Sequence, residues 1–215
     1  MTKLKGILLT EGMHGMVSQV EGLAKALDIN FSHHTVETKG FWKIIPPKFT
    51  PISDRVFKKI DCKDIDIIIS CGRKSIIPSI FLKKKSKKKI FTIHIQNPKV
   101  KLGNFDLIVV PEHDNLHGDN VLKTKGAIHY LTSEEIENNK EYLFGISRNL
   151  KDRNIISLII GGPTQYYDYS DRNIQEIFSK VNYLVKDNNL SLVVIPSMRT
   201  PKGTIEHAKL SLIHI

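Results

Sequence analysis

Three stretches of the chain are apolar along almost their whole length, and each runs directly into a short polar cluster. The stretches are residues 67–70, 107–110 and 156–160, and the clusters that follow them begin at Cys71, Pro111 and Gly161. Continuously apolar strands are typical of a parallel sheet that is covered by helices on both faces. Ligands of such sheets bind beyond the carboxyl ends of the strands. The sequence therefore predicts an α/β fold with its site at that edge.

Predicted strands and helices alternate along the chain. Strands are predicted at residues 4–10, 30–36, 65–70, 90–95, 105–110, 155–160 and 192–195. Helices are predicted at residues 17–27, after Arg73, and at residues 133–144 and 171–186, with a proline-rich loop at residues 39–51. We place a domain boundary near Lys151, which gives an N-terminal domain of residues 1–150 and a C-terminal domain of residues 151–215.

The C-terminal segment, residues 209–215, is apolar and stops without a polar cap. A parallel unit of two strands cannot cover both of its own faces. We therefore expect a C-terminally truncated chain with an incomplete second domain. A short final strand is the alternative interpretation.

Composition excludes several classes of protein. No apolar run approaches the roughly 20 residues that span a bilayer, and residues 7–9 are too short for a signal peptide. Cys62 and Cys71 lack metal-binding or disulfide-scaffold spacing, which favours a reducing compartment. We expect a soluble, cytoplasmic protein.

The net charge of +10 is concentrated in the lysine run at residues 83–89. A solvated turn between a helix and a strand is the preferred interpretation of this run. Peripheral contact with an anionic membrane, such as the inner membrane, is the second. Nucleic acid is not expected as a partner, because no recognition motif accompanies the charge.

The first domain offers two glycine turns before predicted helices. Gly12 and Gly15 precede the first helix, whose free amides suit an anion. His14 could donate to a phosphate or act as a general base, and an ordinary loop histidine is equally consistent with the pattern. Arg73 could hold a phosphate or carboxylate through two hydrogen bonds, with a plain surface cation as the alternative.

Three titratable residues, Glu112, His113 and Asp114, follow the strand at residues 105–110. They could supply a general base or orient a sugar hydroxyl. Consecutive residues cannot easily face one ion, so no metal site is predicted. A charged turn remains the alternative.

The second domain carries ligand-type residues after both of its strands. Gly161 and Gly162 allow a ligand close to the backbone, as a diphosphate site requires. Ser197, Arg199 and Thr200 follow the next strand and supply hydroxyls and a cation.

Seven motifs in chain order resemble those of the bacterial relatives of the plant mitochondrial-fission family "elongated mitochondria". They are His14-Gly15 with Gln19, Cys71-Gly72-Arg73, Gln96-Asn97-Pro98, the segment 105–114, the segment 120–129, Gly161-Gly162-Pro163 and the segment 197–201. The resemblance implies two Rossmann-like domains of the GT-B glycosyltransferase type. It also implies a bacterial enzyme acting on cell-envelope sugars, whereas the plant members are adaptors that recruit a dynamin-like GTPase. Met198 departs from the family, in which a second basic residue is usual, and family members run longer than this chain.

The resulting expectation is transfer of a sugar from a nucleotide-sugar donor to a cell-envelope or lipid-linked acceptor. Gly161, Gly162, Ser197, Arg199 and Thr200 would hold the donor, while His14 or the cluster at Glu112 would deprotonate or position the acceptor. No metal or cofactor is expected, because helix N-termini and Arg199 could neutralise the leaving diphosphate. The alternatives are a non-catalytic adaptor that binds a protein or membrane surface and, more weakly, a nucleotide-sugar epimerase using Gly12, Gly15 and Arg73.

Overall fold

A computed structural model describes residues 3–62, 64–146, 154–164, 167, 169–188 and 190–211. The chain forms two compact units, Met1–Thr132 and Ser133–Ile215. The boundary predicted near Lys151 lies outside the described residues and stays a prediction. None of the described helices is long and apolar enough to cross a membrane.

The first unit is built on a six-stranded sheet in which every neighbouring pair of strands is parallel. Its strands are β1 (Lys5–Thr10), β2 (Asn30–Thr35), β3 (Ile67–Cys71), β4 (Phe91–Ile95), β5 (Leu107–Pro111) and β6 (Val121–Thr124). They lie in the order β2-β1-β3-β4-β5-β6. The chain therefore passes from β1 to β2 on one side, and then to β3 on the other side of β1. The predicted α/β class and the parallel sheet are confirmed, and β6 is an addition.

Two helices and a long connection accompany this sheet. Helix α1 (His14–Ala26) begins three residues earlier than predicted, and α2 (Ile76–Lys85) contains Pro78 in its first turn, where a proline is tolerated. The connection from β2 to β3 includes the short 3-10 turns Gly40–Lys43 and Pro47–Phe49, in agreement with the predicted proline-rich loop.

The core explains why the strands do not alternate between apolar and polar residues. Ile7, Leu9 and Ile68 belong to one buried cluster, whereas Leu8 and Ile69 belong to another. Successive side chains of a strand point to opposite faces of the sheet. Both faces of β1 and β3 are therefore covered, and most positions in these strands favour an apolar side chain.

The second unit contains α3 (Ser133–Ile146), β7 (Ile155–Ile160), α4 (Asp171–Asp187), β8 (Ser191–Pro196) and α5 (Lys202–Ser211). Strands β7 and β8 are parallel. Phe178 of α4 is buried between these elements and contacts the ring of His207 in α5 edge-to-face. The alternative of a final strand from residue 209 is wrong for residues 209–211, which are helical. Residues 212–215 lie outside the described part.

Candidate functional site

The strand order of the first sheet reverses between β1 and β3, and the region beyond the carboxyl ends of these two strands is here called the crevice. Connections leave these two neighbouring strands toward opposite sides, and such switch points are the usual ligand sites of open parallel sheets. Gly12 after β1 and Gly72 after β3 both have positive φ angles, +80° and +93°. A Cβ on Gly72 would lie 2.7 Å from the sulfur of Met16 in α1 and 3.1 Å from a carboxylate oxygen of Glu11, so the loop after β3 packs against residues that follow β1.

A carboxylate that the sequence did not single out occupies this crevice. Glu11 leaves β1 and accepts a hydrogen bond of 3.1 Å from the backbone N–H of Lys74, which begins the helical segment after β3. The Lys74 ammonium lies 3.0 Å from the other oxygen of the same carboxylate. Glu11 thus takes the position at a helix N-terminus that would otherwise suit a phosphate. Its signal in the sequence is an acidic residue directly after a buried strand.

Arg73 contacts the connection between β2 and β3. Its guanidinium donates hydrogen bonds to the carbonyl oxygens of Lys43 at 2.6 Å and Ile44 at 3.4 Å. These bonds tie the proline-rich loop to the end of β3. Binding of an external anion by Arg73 stays a prediction.

The N-terminus of α1 is open. Met13 supplies no side-chain cap, and His14 and Gly15 are exposed. A Cβ on Gly15 would meet nothing within 4 Å, so packing does not require glycine there. Behind this turn, the buried Thr10 hydroxyl accepts the Gly12 N–H at 3.0 Å. The backbone of this loop is therefore held from within, while its outer surface is accessible.

A histidine on β2 completes the support of this loop. The ring Nε2 of His33 lies 2.8 Å from the Thr10 hydroxyl oxygen. Burial lowers the pKa of His33, with a smaller opposing effect from the Glu21 carboxylate. His33 is a supporting residue that sequence reasoning missed, because the neighbouring His34 and the polar character of β2 gave no reason to prefer it.

The cluster of Glu112, His113 and Asp114 forms a short, exposed helical turn after β5. The His113 Nε2 atom lies 3.8 Å from an Asp114 carboxylate oxygen. In the sheet order, β5 is three strand positions from β1, which corresponds to about 14 Å at the usual strand spacing. The structure therefore does not bring this cluster next to the crevice, and its catalytic role stays a prediction.

In the second unit, the loops after β7 and β8 meet. A Cβ on Gly162 would lie 2.3 Å from the carbonyl oxygen of Arg199, so only glycine fits this contact. The buried Thr200 hydroxyl lies 2.7 Å from the carbonyl oxygen of Ile160 and accepts the Ser197 N–H at 2.8 Å. The predicted donor-site residues are thus brought together, with Thr200 holding the loops in place.

Two members of this loop pair are placed for contact with a ligand. The side chain of Arg199 is exposed, and no carboxylate of the described residues pairs with its guanidinium. The backbone at Gly161 lies beside the Tyr169 hydroxyl, 3.4 Å from the position of an added Cβ. Tyr167, which follows the same loop, is exposed. Over the described ranges, no three His, Cys, Asp or Glu side chains are grouped to hold a metal ion.

These features define a parallel α/β protein with glycine-containing loops at its strand ends. A sequence model of the family described as Mitochondrial fission ELM1 matches residues 14–211, so the chain belongs to this family. The Mitochondrial fission protein ELM1 of Arabidopsis thaliana is 33% identical over 48 residues, which are 22% of this chain and 11% of that protein. The match thus spans about a tenth of that relative's length. No solved structure matches the chain.

Proposed function

We propose that this chain is a glycosyltransferase-like protein that transfers a sugar from a nucleotide-sugar donor to a cell-envelope or lipid-linked acceptor. The observation that supports it most is the meeting of the β7 and β8 loops at Gly162, with the Arg199 side chain exposed beside them. The proposal includes two Rossmann-like domains in a GT-B type arrangement, with the donor on the second.

The chemistry of the second unit suits a diphosphate. Gly161 presents backbone without a side chain, and the buried Gly162 lets the β8 loop pack closely against it. A guanidinium can bind two phosphate oxygens at once. Helix α5 begins at Lys202, directly after the Arg199 loop, so its N-terminal N–H groups favour negative charge there. A cation and helix dipole at a leaving diphosphate stabilise the charge that develops in the transition state. This chemistry needs no metal ion.

The first unit would bind the acceptor. Its open α1 N-terminus exposes His14, which could accept the proton of an attacking hydroxyl. Glu112, His113 and Asp114 would contact a more distant part of the acceptor. The anion position of the crevice is already filled by Glu11, which favours an uncharged group there.

The proposal is tested by measuring the affinities of UDP, GDP, CDP and ADP by isothermal titration calorimetry. Replacing Arg199 by Ala should weaken the nucleotide that binds by about ten- to a hundredfold, because a charge-assisted bond is worth about 1.5–3 kcal/mol. The control is Lys186→Ala, which removes a charge from the last turn of α4, at the end of that helix farther along the chain from the β7 loop. This variant should leave the affinity unchanged.

The proposal fails if no nucleoside diphosphate binds the wild-type chain, or if Arg199→Ala binds as tightly as Lys186→Ala. Affinity lost in both variants would indicate a general charge effect.

A second candidate is an adaptor that binds a membrane surface or a protein partner. The observation in its favour is the exposure of Lys84, Lys85 and Lys87–Lys89 at the end of α2. Lys83 is the one lysine of the run whose side chain is mostly shielded from solvent, and it forms an ion pair of 2.8 Å with Asp106. Salt-sensitive sedimentation with anionic vesicles, together with absence of nucleotide binding, would favour this candidate.

A further inference from the structure

A cavity of about 690 Å³ lies on the first unit, away from the strand-end loops considered so far. Its walls come from the connection between β2 and β3, from the C-terminal half of α2 and from the residues that enter β3 and β4. Ile65 and Ile90 precede these strands, so they lie at the opposite end of the sheet from Gly12 and Gly72. The volume is in the range of small-molecule sites.

The inner surface of this cavity is apolar. Phe57 and Phe81 meet edge-to-face at 5.6 Å between ring centroids, and Ile60, Leu82 and Cys62 continue the surface. Phe57, Ile60 and Leu82 belong to the buried core of this unit. A ligand with an elongated apolar body would therefore contact core side chains rather than water.

The rim of the same cavity is cationic. Six basic side chains line it against three acidic ones, and the basic residues are Lys39, Arg55, Lys59, Lys85, Lys87 and Lys88. Lys88 pairs with Asp66, and Lys85 lies 3.9 Å from Asp54. Within the described ranges, no carboxylate pairs with Arg55, Lys59 or Lys87.

We propose that this cavity binds an amphipathic anion, meaning an acyl or similar apolar chain that ends in a phosphate or carboxylate. The chain would lie against Phe57, Phe81 and Ile60, and the anionic group would lie among Arg55, Lys59 and Lys87. The residues that line the cavity all belong to the first unit, whereas Arg199 belongs to the second, so the two proposed sites share no residue. The proposal also differs from surface attraction to a membrane, since it requires a single molecule inside the cavity.

Cys62 supplies a built-in reporter. It lines the cavity and is half-buried, whereas Cys71, the other cysteine, is fully buried. Burial raises the pKa of both thiols, that of Cys71 to about 12. A maleimide should therefore modify Cys62 slowly in the folded chain, and Cys71 only after unfolding. Modification of Cys71 thus reveals any denaturation by an amphiphile.

The test follows maleimide modification of the full chain by intact mass spectrometry. Monomeric 1-oleoyl lysophosphatidic acid should slow modification of Cys62 at least fivefold while Cys71 stays unmodified. Lysophosphatidylcholine with the same chain, and inorganic phosphate alone, should protect much less. Cys62→Ser should remove the modification seen in the folded chain and so confirm its assignment.

Two charge-matched double variants separate the cavity from the rest of the lysine run. Lys59→Glu with Lys87→Glu changes two unpaired cavity cations, and should abolish protection. Lys84→Glu with Lys89→Glu changes the net charge equally at exposed positions that do not line the cavity, and should retain protection.

The proposal is overturned if the monomeric anion does not protect Cys62, if the zwitterionic lipid protects equally, or if both double variants lose protection alike. Protection by anionic vesicles alone, without any by the monomer, also overturns it in favour of surface contact.

Discussion

His94 lies on the central strand β4 and is 1% exposed. Its Nδ1 atom is 2.9 Å from the hydroxyl oxygen of Ser70, and its ring stacks on Phe105 with 4.9 Å between centroids. Burial lowers the pKa of His94 from 6.5 to about 3. The imidazole is therefore neutral in the folded chain at all pH values well above 3.

This burial makes the stability of the first unit dependent on pH. In the unfolded chain, His94 binds a proton as the pH falls through about 6.5, whereas the folded chain excludes that proton until about pH 3. The stabilisation is therefore fully present above pH 6.5 and is lost progressively below it, by about 1.4 kcal/mol per pH unit. Between pH 7.5 and pH 5.0 the loss is about 2 kcal/mol. Any folded-state pKa below about 4 gives nearly the same figure.

The measurement is urea unfolding at pH 7.5 and 5.0, followed by tryptophan emission. Trp42 is the single tryptophan of the chain and packs against the core of the first unit, so its emission reports the unit that contains His94. His94→Asn keeps a polar atom near Ser70 but cannot titrate. It should lower stability at both pH values through lost packing, and should shrink the difference between them by about 2 kcal/mol.

His113→Asn serves as the control, because it removes an exposed histidine from the same unit. This variant should retain the pH dependence of the wild type. The reasoning is refuted if His94→Asn and the wild type lose the same free energy of unfolding between pH 7.5 and pH 5.0.

Two further predictions concern contacts that link neighbouring strand ends. Gly162→Ala should destabilise the second unit by about 1–3 kcal/mol through overpacking. Gly203→Ala, which has open space around it, should not destabilise the unit. Equal thermal unfolding of the two variants, measured by circular dichroism, would contradict this prediction. Glu11→Gln should lower the free energy of unfolding of the first unit in urea by about 1 kcal/mol, because the Lys74 ammonium loses its carboxylate partner. The control is Glu37→Gln, which removes an exposed ion pair and should have no measurable effect on stability. A loss of stability equal to that of Glu11→Gln would refute the prediction.

Strands buried on both faces were predictable from the sequence, because most of their positions are apolar and the few polar ones, such as Ser70 and His94, hydrogen-bond to each other within the core. β6 was not, since it is four residues long, lies at the edge of the sheet and has no buried position. Helix α5 was missed for a different reason. Its sequence follows Pro201 and contains a glycine, and the apolar residues toward the end of the chain favoured a strand or a truncation.

The sequence located candidate residues at strand ends but could not decide which of them meet. That decision depends on strand order, which places β3 beside β1 and leaves β5 three positions away. The hydrogen-bond partners of loop residues could not be predicted from the sequence either. Nothing in the local sequence indicates that Arg73 binds the carbonyl oxygens of the proline-rich loop, or that Thr200 reaches the end of β7.

The pairing of charges makes the two units differ in how favourably they would bind an anion. In the first, the carboxylate of Glu11 already satisfies the helix N-terminus after β3, so a second anion there would meet like charge and lose the ion pair with Lys74. In the second, the described residues supply no carboxylate to Arg199, and its loop leads directly into a helix N-terminus. A diphosphate would therefore gain more at Arg199 than at Lys74. We therefore propose that the donor binds to the second unit and an uncharged acceptor hydroxyl to the first.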